Sequence, residues 1–372
     1  MSRLYYLILI FLIFFSCGKN NEEQGDLNDY ISIFYMSGNN NLRYDIENAI
    51  VKLQKGYTPI KGKKILVYIK NSDNFSYILE IRNSKMSSIN SDTIKVYQNR
   101  NASDPSHLKE VLSDVKKLYP STKYSLILSS HATAWYPPTT VKFKSFGLDQ
   151  NQELEIRDFK NSLKDIKFEY IIFDACYMSS IEVLHEIRNS AKYVVASPSE
   201  VISYGFPYEK IANRLFGGVD DLKIICDEYV NYYESLEDKY KSANVALIDL
   251  SKIQKFTAYL KPLFIDHLAE NISIKSVQQL VFDDNIDLEA YDFLDLIKAS
   301  TIDIKKVKPK LEELVLYKRY TVAFNGKRVN NFCGLSIYYP FKNKKNIFYN
   351  NYYKSYSFYQ DSGISQFYTN IL

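Results

Sequence analysis

The chain has 372 residues, enough for one large α/β domain or two small ones. Its hydrophobic share of 46% suits an ordinary globular core, and its net charge of +4 is dispersed among mixed acids and bases, which gives no argument for a nucleic-acid partner. Tyr (33 residues) and Phe (22) are too numerous for any cofactor role and must mostly be packing material.

At the start, Arg3 precedes an apolar run over residues 4–15. The run is short for a membrane span, which takes about 20 residues, and matches a signal h-region. Ser16-Cys17-Gly18 follows, and resembles a bacterial lipoprotein processing site. The resemblance implies cleavage before Cys17 and lipidation of Cys17. A plain secretory signal, with Cys17 incidental, is the alternative. The expected organisation is a signal peptide over 1–16, a polar tether over 17–28, and one domain over 29–372. The expected location is the cell envelope, outside the cytoplasm, membrane-anchored through Cys17 on the periplasmic or outer surface.

Strand and helix patterns then alternate. Residues 30–36 read as a strand, followed by the turn residues Ser37-Gly-Asn-Asn-Asn-Leu42. A helix is expected over 45–54, closed by Gly56, then a strand over 64–69 and a hairpin from 77–82 and 93–97. Asp104 and Pro105 open a helix to residue 118, as N-cap and first helical residue. Residues 124–130 form a nearly continuous apolar strand, as burial on both faces requires. Residues 135–146, rich in Pro and Thr, read as a loop; 155–163 as a helix; 170–175 as another buried strand. A helix is expected directly after Cys176, from the spacing of Ile181, Leu184, Ile187 and Ala191, and a strand over 192–197. Further helices are expected over 221–236, 251–267 and 292–299, and strands over 244–248, 320–324 and 334–339. The rhythm predicts an α/β fold: a mostly parallel, doubly wound sheet with helices on both faces and a C-terminal α/β extension packed on the same sheet.

Two buried strands end in reactive residues, His131 and Cys176. In an open α/β sheet, ligands bind beyond the carboxyl ends of the strands. Parallel neighbours would therefore set an imidazole beside a thiol, the minimum for a cysteine nucleophile with its base. A helix beginning at Cys176 would lower the thiol pKa, and the amides of Cys176 and Ala132 would suit an oxyanion hole. Asp174 lies two residues before Cys176, on the same strand face and roughly 6–7 Å away. A carboxylate there disfavours the thiolate, so it either receives a cationic substrate side chain or accepts backbone hydrogen bonds.

These residues resemble the clostripain family of cysteine peptidases. Ser130-His-Ala-Thr-Ala-Trp135 is similar to that family's Ser-His-Gly-x-Gly-Trp, and Asp174-Ala-Cys-Tyr-Met178 with Glu182 to its Asp-x-Cys-x-Met-x-x-x-Glu. Ala196-Ser-Pro-Ser-Glu200 with Tyr204-Gly-Phe-Pro-Tyr208 resembles the following segment. Tyr35-Met-Ser-Gly-Asn-Asn-Asn-Leu42 and Gly334-Leu-Ser-Ile-Tyr-Tyr-Pro340 resemble the first and last strands. The resemblance implies a caspase-like fold and an endopeptidase cutting after Arg or Lys. By it, Cys176 is the nucleophile, His131 the general base and acid, and Asp174 the floor of the substrate pocket. Glu200 is a second candidate anion there. The resemblance also suggests self-cleavage at Lys142 or Lys144, although ordinary solvated lysines in this loop are the favoured reading. Ala132 and Ala134 depart from the family's glycines, which supports an alternative: an impaired, peptide- or protein-binding module.

The other signals are weaker. Cys226 and Cys333 read as buried thiols or as a disulfide pair. The absence of a C-x-x-C pair argues against a zinc cluster, and of a nearby second Cys against a thiol oxidoreductase. Among cofactors only calcium is retained, as a minor expectation from the resemblance. Asp283, Asp284, Asp287 and Glu289 lack EF-hand spacing and read as a solvated acidic turn. His185 reads as a helix-surface partner of Glu182.

Overall fold

A computed structural model describes residues 27–137, 148–150, 152–268, 272–339 and 347–369. Its centre is a nine-stranded sheet. In chain order the strands are β1 (Tyr30–Ser37), β2 (Lys63–Lys70), β3 (Phe75–Glu80), β4 (Asp92–Gln98), β5 (Tyr124–Ser129), β6 (Phe168–Asp174), β7 (Ala191–Ala196), β8 (Asn244–Asp249) and β9 (Val315–Tyr320). They lie in the order β9-β8-β7-β6-β5-β1-β2-β3-β4. The five strands from β7 to β2 run parallel, and antiparallel pairs extend both edges. The expected mostly parallel, doubly wound sheet is therefore present, and the C-terminal region adds β8 and β9 to it.

The apolar runs explain the centre. Every residue of β1 and β5 is buried, so neither face of these strands is solvated. Alternate side chains feed two cores. Phe34 and Met36 join Ile46 and Ile50 of α1 (Arg43–Gly56) and Leu222 and Tyr229 of the helix Val219–Glu234. Ile33 and Tyr35 face the opposite core with Leu108 and Val111 of α2 (Pro105–Leu118) and Phe256 and Leu260 of the helix Ile253–His267. Asp104 caps α2 by accepting from the Ser106 amide at 2.8 Å, as its sequence predicts.

Three expectations need correction. The helix after Cys176 starts only at Ile181, with Ser180 as N-cap. The intervening amides are taken elsewhere: Tyr177 donates to the Ser199 carbonyl at 2.7 Å and Ser179 to that of Ser197 at 2.9 Å. Cys176 thus lies outside a helix N-terminus and gains nothing from a helix dipole. The strand expected over 320–324 is β9, ending at Tyr320, preceded by an unforeseen helix, Ile304–Leu314. The final strand shrinks to Ser336–Ile337, paired with Tyr291–Asp292 outside the main sheet.

That last segment is tied to the Cys176 turn. Ser179 Oγ donates to the Gly334 carbonyl at 2.8 Å, and the Tyr338 amide donates to Glu182 Oε1 at 2.9 Å. Glu182 and His185 are both buried, which corrects their expected surface pairing. His185 Nδ1 instead meets Ser357 Oγ at 3.1 Å. On the other side, Trp135 stacks on Tyr136 at 4.4 Å and packs against Tyr338, Tyr353 and Tyr356. This ring cluster holds the chain directly after His131. Among the described residues, no helix is long and apolar enough to cross a membrane.

Candidate active site

The register of β5 against β6 builds the site. Ser129 pairs with Asp174 across these parallel strands. His131 and Cys176 each lie two residues beyond that pair. Neighbouring strands are about 4.8 Å apart, so the two chain ends leave the sheet side by side. Both residues line one cleft. Asp174 lines it as well, together with residues 201–205 on one wall and Leu42, Asp45, Ile46 and Ala49 on the other.

Asp174 is buried at the base of this cleft. Tyr208 OH donates to its Oδ2 at 2.8 Å, and Ser129 Oγ does so at 3.5 Å. Burial pushes its pKa up to about 6, against the opposing pull of the Tyr208 hydroxyl and the Phe206 backbone. Gly205, at φ +62°, lets the chain pass directly over this carboxylate. A Cβ there would lie 2.4 Å from Asp174 Oδ2, so the wall at this point admits only glycine without movement.

The Cys176 sulfur is half-buried and faces Val201. The Val201 amide donates to it at 3.2 Å, and the thiol donates weakly to the Val201 carbonyl at 3.8 Å. Burial pushes the thiol pKa up to about 12; the Val201 amide offsets this in part, and the Glu200 and Asp174 carboxylates add to it. The balance of these effects favours the neutral thiol over the thiolate. Its successor Tyr177 adopts φ +62°, an unusual conformation for a large residue and a local strain beside the sulfur. His131 is held by its Nε2, 2.7 Å from Asn41 Oδ1.

The two alanines have different consequences. Ala134 adopts φ +55°, the left-handed region that favours glycine, whereas Ala132 is not among the residues of positive φ. The expected distortion therefore falls on Ala134, two residues beyond the proposed oxyanion donor. Ala132 is buried beside His131.

Glu200 does not line the cleft. Its buried Oε1 accepts from the amides of Phe282 at 2.6 Å and Asp283 at 2.9 Å, so it anchors a loop. The second acid in the cleft is Asp45, from the first turn of α1. Only the position of α1 after β1 signals it in the sequence. Cys226 and Cys333 are separate buried thiols. Asp283 accepts from the Asn285 amide at 2.9 Å and Asp284 pairs with Lys327, and no group of metal-ligating residues occurs among the described residues. Cys17, Lys142 and Lys144 lie outside the described residues.

The fold matches solved cysteine protease structures. A secreted C11 cysteine protease from Bacteroides thetaiotaomicron, iotapain, aligns with TM-score 0.78 and 22% identity over 90% of this chain and 99% of its own. An inactive zymogen C11 protease from Parabacteroides distasonis aligns with TM-score 0.77 and 23% identity over 90% and 98% of the two chains. Clostripain from Hathewaya histolytica is 23% identical over 87% of this chain and 76% of its own. The model of the clostripain family matches residues 34–369. The chain therefore belongs to the clostripain family of cysteine peptidases, with the caspase-like fold of its C11 relatives.

Proposed function

We propose that this protein is a lipid-anchored endopeptidase that cuts after Arg or Lys, using Cys176 as nucleophile and His131 as base and acid. The observation that carries the reading is the common register of β5 and β6, which brings both residues to one cleft with Asp174 at its base. In the first half-reaction the thiol proton passes to His131 as sulfur attacks the scissile carbonyl carbon. The amides of Cys176 and Ala132 would receive the oxyanion. The imidazolium then gives its proton to the leaving amine, and the carbon–nitrogen bond breaks to leave a thioester. Water, deprotonated by His131, attacks the thioester, releases the acid and restores the thiol.

Asp174 would serve as counter-ion for the guanidinium or ammonium of the residue before the cut. A buried carboxylate gains most from such a partner, because little water competes. Asp45 would stand as a weaker, partly solvated second acid, in the role expected of Glu200. Lipidation at Cys17 and residence in the cell envelope rest on the apolar run and the Ser16-Cys17-Gly18 pattern alone. Protein and peptide substrates with basic residues are the proposed partners, together with the membrane.

The experiment is digestion of a peptide mixture, with the new C-termini identified by mass spectrometry. The expected ends are Arg and Lys, lost in Cys176→Ala and in His131→Ala. Cleavage that survives Cys176→Ala removes this reading.

A further inference from the structure

We infer that Asn41 is a positioning residue that fixes the tautomer and ring orientation of His131, and that the buried carboxylate of Asp149 holds the loop presenting it. The inference rests on the reading of Cys176 and His131 as the reacting pair.

Three consecutive asparagines between β1 and α1 have three different duties. Asn40 shapes the turn itself: its Oδ1 accepts from the Leu42 amide at 2.8 Å and its Nδ2 donates to the Ser37 carbonyl at 3.2 Å. Asn39 reaches away from the turn, its Nδ2 donating to Asp149 Oδ1 at 2.7 Å and to Asp73 Oδ1 at 3.0 Å. Asn41 reaches the imidazole, with Oδ1 2.7 Å from His131 Nε2. A turn needs only the first of these, so the third is left for the site to explain.

An amide oxygen can only accept. With Oδ1 facing the ring, Nε2 must carry the hydrogen, and in neutral imidazole the lone pair then falls on Nδ1. That is the tautomer in which Nδ1 can take the thiol proton while Nε2 remains held. Asn41 is exposed, and a bond open to water orients little unless its support is rigid. Asp149 supplies the rigidity. It is fully buried; its Oδ2 accepts from the Ala102 amide at 2.7 Å, and its carbonyl accepts from Asn101 Nδ2 at 3.1 Å. The Asn39 bond thus ties the loop to the β4–α2 connection, remote in sequence from His131.

The test measures the pH profile of kcat at saturating Arg-ended fluorogenic peptide, where the substrate cation already occupies Asp174, with KM determined alongside, on the full chain. Asn41→Ala should lower kcat about tenfold with KM little changed and an unaltered melting temperature. Asn41→Asp keeps an acceptor and adds charge. It should recover most of kcat and move the acidic limb of the profile upward, because a carboxylate stabilises the imidazolium. Asn39→Ala should cost kcat less than Asn41→Ala does, in the same direction. Wild-type kcat and pH profile in Asn41→Ala, or an unmoved limb in Asn41→Asp, would overturn the inference. The His131→Ala control separates this from failure of the dyad itself: activity there would refute the dyad.

Discussion

Replacing Asp174 by Asn tests the substrate pocket and the energetics of its base together, because the two effects have opposite signs. The carboxyl ordinarily titrates at 3.8 and is pushed up to about 6 here by burial. The folded protein therefore binds this proton more tightly than the unfolded chain. Stability falls as pH rises from about 4 to about 6, and the full deficit, about 3 kcal/mol, applies above that range. Asn keeps the shape and an acceptor for the Tyr208 hydroxyl, so at neutral pH the variant should melt no lower than wild type. Activity should move the other way. Removing one partner of a buried, hydrogen-bonded ion pair costs about 3 kcal/mol or more, so kcat/KM on Arg peptides should fall ~100-fold or more. The assay compares Arg-, Lys- and Leu-ended fluorogenic peptides, alongside thermal melting. In wild type, kcat/KM on basic peptides should also decline as pH falls below about 6, as the carboxyl protonates. Retained Arg preference in the variant would refute the pocket assignment. A loss of Arg cleavage accompanied by a fall of many degrees in melting temperature would show Asp174 to be structural.

Other substitutions separate neighbouring roles. Asp45→Asn should lower kcat/KM on Arg peptides only a few-fold, since a partly solvated ion pair is worth about 1 kcal/mol or less. Glu200→Ala leaves two backbone amides without their carboxylate, so differential scanning calorimetry should show a loss of about 3 kcal/mol. Its ratio of Arg to Leu cleavage should not change. Ala134→Gly relieves the left-handed backbone and should stabilise by about 0.5–1 kcal/mol after the entropy of glycine is deducted. Chemical denaturation can check this, and destabilisation would contradict it.

What could be read from the sequence follows the strength of local signals. The central strands were legible because burial on both faces leaves continuous apolar runs, as in Leu126-Ile-Leu128 and Ile171-Ile-Phe173. α2 was legible because Asp104 and Pro105 mark its start. His131 and Cys176 stood out because each ends such a run. The turn after Cys176 was not legible: its amides are claimed by Ser197 and Ser199, which only the folded chain brings near. The helix Ile304–Leu314 was hidden by its interior Pro309 and charged surface, with Val307, Leu311 and Leu314 as its buried stripe. Asp45 and Asn41 were invisible as site residues because they arrive from the far side of the cleft, on a segment that reads as a turn and a helix start. Glu200 was misplaced for the converse reason. The resemblance of its segment to the family's did not reveal which way its carboxylate turned.

The most direct measurement is a crystal structure of the protein after reaction with an irreversible peptidyl probe bearing a terminal Arg. The account predicts a single thioether bond to the Cys176 sulfur, with the guanidinium against the Asp174 carboxylate and the Asn41–His131 bond intact. Attachment to Cys226 or Cys333, or a guanidinium directed out of the cleft, would contradict it.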